Sequence, residues 1–118
     1  MTYSVTFLTD HKGYSRSRVS GDEYFVDVAL DITSYTNGGE TITASSVGLS
    51  SITSALVTGQ EAVNGIATIE CTAVTGAYAS ASTFNVLFLQ PSSTPNLLEE
   101  EADTTNIGTV RVRVYGNL

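Results

Sequence analysis

Residues 24–32 read Y-F-V-D-V-A-L-D-I, and the alternation in this stretch decides the fold class. Successive side chains of a strand point to opposite sides. Tyr24, Val26, Val28, Leu30 and Ile32 therefore share one face, and Phe25, Asp27, Ala29 and Asp31 share the other. One apolar face and one wet face is the pattern of an antiparallel sheet packed on a core on one side only.

The same period recurs on both sides of this segment. Tyr3, Val5 and Phe7 alternate with Ser4 and Thr6, which predicts a first strand. Residues 18–20 begin another before Gly21-Asp22 interrupts it, and residues 9–17 read as a loop or hairpin tip. Downstream, residues 52–58 and 65–72 read as two strands joined by residues 59–64 as a hairpin. Residues 75–82 have the small side chains of a loop. Residues 83–90, T-F-N-V-L-F-L-Q, form the most apolar and so most central strand. Pro91 and Pro95 bracket a Ser/Thr stretch that cannot continue a ladder. Residues 109–115 close the chain with Val110, Val112 and Val114 inward and Arg111, Arg113 and Tyr115 outward.

One segment breaks the period. Asn37-Gly38-Gly39 supplies positive φ at little steric cost and predicts a turn. Thr43 is placed to cap one helical turn over residues 44–47, with Ile42 and Val47 as a hydrophobic staple. Gly48 suits the left-handed position after it, and Leu49 folds apolar surface back. Many short strands and a single helical turn predict an all-β domain spanning residues 1–118, an antiparallel β-sandwich or small barrel.

Composition narrows the functional classes. The chain has 118 residues, enough to bury roughly 65% of its unfolded surface without staples. Only 14% of residues are charged, while Ser and Thr fill 31 positions. The net charge of −7 argues against nucleic acid or an anionic membrane as partner. A lone Cys71 excludes an intrachain disulfide and a cysteine-rich zinc site. No run approaches the roughly 20 apolar residues of a membrane span, and residues 1–5 lead straight into alternation rather than a signal peptide. These features predict a soluble protein made in the cytoplasm.

No constellation for catalysis, metal or cofactor emerges. Asp27 and Asp31 lie roughly 13 Å apart along a strand, too far for one acid/base site, and their spacing instead suits charge pairs with Arg111 and Arg113 on a neighbouring strand. Glu99, Glu100, Glu101 and Asp103 lack the ligand spacing and glycine of a calcium loop, so a solvated, self-repelling loop that offers a negative surface to a partner is expected. His11 stands alone without a nucleophile motif. With Lys12, Arg16 and Arg18 it forms a basic patch that either balances neighbouring acids or contacts an acidic protein surface.

Several of these segments together resemble the capsid decoration, or cement, proteins of tailed bacteriophages. The matching elements are Val26-Asp27-Val28-Ala29-Leu30-Asp31, Tyr35, Gly38-Gly39-Glu40, and Thr43-Ala44-Ser45-Ser46-Val47-Gly48-Leu49, with Thr109-Val110-Arg111-Val112-Arg113 and Gly116 at the end. The resemblance covers the first half and the last dozen residues and departs between residues 57 and 106. It implies a non-enzymatic virion protein on the capsid exterior, bound to the major capsid protein and associating with itself as a dimer or trimer. Contacts are expected from Lys12, Arg16 and Arg18 and from Glu99, Glu100, Glu101 and Asp103. Two other classes fit the same composition, a tail, connector or head-fibre component and a carbohydrate-binding β-sandwich.

Overall fold

The alternating segment becomes β3 (Glu23–Ser34), the longest strand of the protein, in a computed structural model that describes residues 2–9, 18–20, 23–61, 65–70, 82–94 and 97–118. Its inward residues Val26, Val28, Leu30 and Ile32 are all but fully buried, as the period requires. β1 (Thr2–Phe7) and β2 (Arg18–Ser20) share one edge of β3, β1 along residues 28–34 and β2 along residues 23–25. The other edge pairs with β9 (Gly108–Asn117), which in turn pairs with β5 (Ser51–Gln60). This larger sheet therefore runs β1-β3-β9-β5, and every pairing is antiparallel.

The smaller sheet is built on β7 (Thr83–Pro91), the most apolar stretch. One edge of β7 carries β6 (Ile66–Glu70), and the other is shared by β4 (Glu40–Thr43) and β8 (Leu98–Glu100). Phe84, Val86 and Phe88 turn inward and meet the β3 and β9 valines in one hydrophobic core. Burying each such side chain contributes about 1.5–3 kcal/mol, which offsets the ordering entropy of the short strands. Two antiparallel sheets around one core make the protein all-β.

Three expectations need correction. Residues 59–64 do not make a hairpin: β5 belongs to the larger sheet and β6 to the smaller, so the chain crosses between sheets there. The Gln60 amide fixes the crossing, donating to the Gly65 carbonyl at 2.8 Å and accepting from the Ala67 N–H at 2.9 Å. Residues 40–43, read only as the approach to a helical turn, form a strand against β7. The helical turn itself is 3₁₀, Ser45–Val47, and starts one residue later than expected, with Ala44 in the cap position. Thr43 still reaches the Ser46 N–H at 3.3 Å, and Ile42 and Val47 are both fully buried. Gly48 takes the left-handed conformation at φ 79°, which lets the Leu49 N–H bond back to the Ala44 carbonyl at 3.0 Å. Cys71 and most of the predicted loops at residues 9–17 and 75–82 lie outside the described residues.

Tyr35 ties the two sheets together. It sits where the chain leaves β3 for β4, and its backbone N–H and carbonyl pair with Thr105 and Thr104 on the return path from β8 to β9. Its side chain, 1% exposed, reaches the edge of β7 between the ends of β4 and β8. There the phenol accepts from the Phe88 N–H at 3.2 Å and donates to Glu100 Oε1 at 2.8 Å.

Tyr35→Phe keeps the ring but leaves the Phe88 amide buried without an acceptor, and should cost about 1–3 kcal/mol in chemical unfolding. Burial, with Glu100 close by, raises the Tyr35 pKa well above its ordinary 10.0. The folded state keeps this proton where the unfolded chain has released it, so the contribution is complete below pH 10.0 and declines as pH rises beyond that value. Urea midpoints measured against pH should fall more steeply in the alkaline range for the natural chain than for Tyr35→Phe. Equal slopes would contradict the assignment.

Candidate interaction face

The wet face predicted for β3 is the outer face of the larger sheet, and the register assembles on it residues that are far apart in sequence. Asp27 lies directly opposite Arg113, and Phe25 opposite both Tyr115 on β9 and Arg18 on β2. Arg113 donates to Asp27 through Nε at 2.8 Å and a terminal nitrogen at 3.0 Å, and Arg18 adds a third bond at 2.7 Å. The hydrogen bonds from Arg113, reinforced by the charge of both arginines, hold the Asp27 carboxyl below its ordinary 3.8 despite partial burial. The bond to Asp27 in turn pushes the Arg113 guanidinium above its already high value.

The two guanidinium groups also stack on the Phe25 ring, 5.0 Å and 4.7 Å from its centroid, and Phe25 packs against Tyr115 at 5.6 Å. Such contacts stabilise by about 0.5–1 kcal/mol each and fix the orientation of long side chains that would otherwise be free. Arg111, one step along β9, sits between the two smallest neighbours available, Ala29 and Gly59. A methyl group on Gly59 would lie 3.4 Å from the Arg111 guanidinium, so the glycine lets that side chain lie close to β5. Shallow hollows flank Arg111 on both sides. One is lined by Leu8, Thr9, Arg18, Asp27, Thr58 and Arg113, the other by Gln60, Glu61 and Thr109. Among the described residues no carboxylate is within ion-pairing distance of Arg111.

The sequence divided the basic residues into an early and a late cluster. The sheet joins them, since Arg18, Arg111 and Arg113 all lie on this face. Of the predicted contact residues, Arg18 is thus placed beside the terminal arginines, whereas Lys12 and Arg16, with His11, lie outside the described residues. The predicted charge pairing holds for Asp27 with Arg113, while Asp31 faces Thr109 and Arg111 faces Ala29.

The acidic run is not the solvated loop that its composition suggests. Glu99 and Glu100 belong to β8, and Glu101 is 9% exposed, its N–H bonded to the Phe88 carbonyl at 2.9 Å. Glu100 accepts from Tyr35 and from the Gly38 N–H, and Asp103 from the Asn37 N–H at 3.0 Å. Glu40, fully buried, accepts from both the N–H and the hydroxyl of Thr36 at 3.0 Å, and its other oxygen has no hydrogen-bond partner. Gly38 and Gly39 at φ 99° and 108° make this possible by turning three successive N–H groups, of Thr36, Asn37 and Gly38, toward three carboxylates. Only Glu99 keeps a largely exposed side chain that meets no backbone donor, with the Gln90 amide at 3.4 Å. Among the described residues no three His, Cys, Asp or Glu side chains are grouped to hold a metal ion.

No family model, curated protein or solved structure matches this chain.

Asp27→Asn preserves shape but leaves Arg18 and Arg113 facing one another without the charge that joins them. A loss of about 1–3 kcal/mol is expected, as for a hydrogen bond to a charged group. Because the folded pKa of Asp27 is lowered, its contribution is present above 3.8 and is lost as pH falls through the folded value. Unfolding midpoints recorded between neutral and acid pH should converge for the natural chain and Asp27→Asn at the acid end. A constant gap across the range would refute this role.

Proposed function

We propose that this chain is a non-enzymatic structural protein of a tailed-phage virion, a capsid decoration protein that binds the assembled head through the outer face of the larger sheet. The observation that carries the reading is the gathering of Arg18, Arg111 and Arg113 on one face of a chain whose net charge is −7. Such a face steers an acidic protein surface toward a single docking orientation. The resemblance of the Val26–Asp31, Gly38–Leu49 and Thr109–Arg113 elements to those of decoration proteins supports a major capsid protein as the partner. The acidic residues Glu100 and Asp103 act inside the fold in this account, so the contact passes from the acidic run to the arginines. Binding only to the assembled shell would stabilise it by mass action. Nucleic acid and membranes have no part in it.

One observation favours a carbohydrate-binding module, the pairing of Phe25 with Tyr115 on an open sheet face. Arg18 and Arg113 already stack on the Phe25 ring, which weakens it as a sugar platform. The decoration reading is preferred for that reason.

Quantitative mass spectrometry of purified virions should find the chain in a simple ratio to the major capsid protein. A handful of copies per particle would instead assign it to the tail or connector. Arg111→Glu, which disturbs no ion pair among the described residues, should lower head occupancy roughly tenfold at moderate salt, and added salt should weaken the natural chain's binding. Full occupancy by Arg111→Glu would move the contact to another face.

A further inference from the structure

The turn that leaves β3 holds a peptide bond with chemistry of its own. Asn37-Gly38 is one of two Asn-Gly pairs in the chain, the other being Asn64-Gly65. Asn37 and Gly38 are both exposed, in a turn closed by the Gly39 N–H on the Thr36 carbonyl at 3.0 Å. The carboxamide carbon of an asparagine and the backbone nitrogen of the next residue are spaced to close a cyclic imide, and a side chain on that next residue is what ordinarily obstructs it. Gly38 has none, and a Cβ placed there would meet no atom within 4 Å. What the turn withholds is the nitrogen. The Gly38 N–H donates to Glu100 Oε1, and the Asn37 N–H beside it to Asp103 Oδ1 at 3.0 Å. Attack requires the Gly38 nitrogen to give up its proton, and a carboxylate seated on the N–H favours the protonated form and opposes the anion. Glu100 is itself held, since the same oxygen accepts from the buried Tyr35 phenol at 2.8 Å.

We propose that Asn37-Gly38 is a site of self-modification, held closed in the folded protein by the Glu100 carboxylate. When this clasp opens, the Gly38 nitrogen bonds to Asn37 Cγ, the Cγ–Nδ2 bond breaks, and the backbone amide proton leaves with Nδ2 as ammonia. Water, the only co-reactant, then opens the cyclic imide. Cleavage of the new bond gives aspartate, and cleavage of the original peptide bond gives isoaspartate, whose backbone runs through the side chain. Either product sets a further carboxylate among Glu40, Glu100 and Asp103, where like charges disfavour the closed arrangement. Isoaspartate also lengthens the backbone between the N–H groups of residues 37 and 38, so the two donors no longer match Asp103 and Glu100. Opening of this turn is therefore recorded in the covalent chain and is not reversed by refolding. Nothing in it depends on the partner of the arginine face.

Peptide mapping by mass spectrometry, with a fragmentation that separates aspartate from isoaspartate, tests this on the full chain kept at mildly alkaline pH. Conversion at residue 37 should be roughly tenfold or more slower in buffer than in guanidinium chloride, because it follows the small population in which the turn is open. Glu100→Ala should speed it roughly fivefold or more in buffer, with an unchanged far-ultraviolet circular dichroism spectrum. Asp27→Asn, which weakens the other sheet, should leave residue 37 at the natural rate, since the opening is local. Equal rates for the natural chain in buffer and in denaturant would overturn the proposal, as would a folded Glu100→Ala that converts no faster than the natural chain. So would acceleration by Asp27→Asn matching that by Glu100→Ala, which would trace the reaction to unfolding of the whole domain. Should Glu100→Ala fail to fold, Glu100→Gln removes the opposing charge at the same size, and an unchanged rate in a folded Glu100→Gln would equally overturn it.

Discussion

The phenol of Tyr35 completes a sheet edge that the backbone leaves unfinished. β7 is paired along one edge by two short strands, β4 and β8, whose ends do not meet. At the break, the Phe88 N–H points toward a gap with no strand to accept it, and the Tyr35 oxygen fills that place. A buried amide left without an acceptor costs more than an average hydrogen bond contributes, so the position of the ring is tightly specified. Since Tyr35 also pairs its own backbone with Thr104 and Thr105, two of the passages between sheets, β3 to β4 and β8 to β9, are held at one point.

Around that point the acidic residues take on an internal function. Three carboxylates from different parts of the chain satisfy the successive N–H groups of the glycine turn, and one of them, Glu100, also receives the Tyr35 proton. The turn, β8 and the tyrosine thus form a single network, in which each group is worth more for the presence of the others. A consequence is a molecule of three electrostatic regions. Carboxylates gather at the crossing, arginines on the outer face of the larger sheet, and the β6–β7 hairpin carries almost no charge.

Much of the fold was legible because a strand's period is local. The alternation of residues 24–32 and 109–115 assigned every inward and outward side chain of β3 and β9 correctly, and Gly48 announced its left-handed conformation. What a period of two does not encode is partnership. β5 and β6 alternate as well as any hairpin, yet the chain passes between sheets, and the Gln60 side chain, reaching from the end of β5 to Gly65 and Ala67 beyond the crossing, marks the difference. The acidic run misled for a related reason. Consecutive like charges repel in isolation, and the donors that offset the repulsion come from Tyr35, Asn37 and Gly38, more than 60 positions away. Glu40 gave no signal of burial because its donors belong to the turn itself. The arginine face was half visible: the charge match of Asp27 with Arg113 followed from spacing, but the arrival of Arg18 on the same carboxylate required the β2–β3 register.

The central claim, that the tyrosine oxygen closes the edge of β7, is tested most directly by hydrogen exchange at one amide. The Phe88 N–H should exchange only through global unfolding, with protection equal to that of core amides such as those of β3. Exchange at the rate of an open strand edge, with β3 still fully protected, would contradict it.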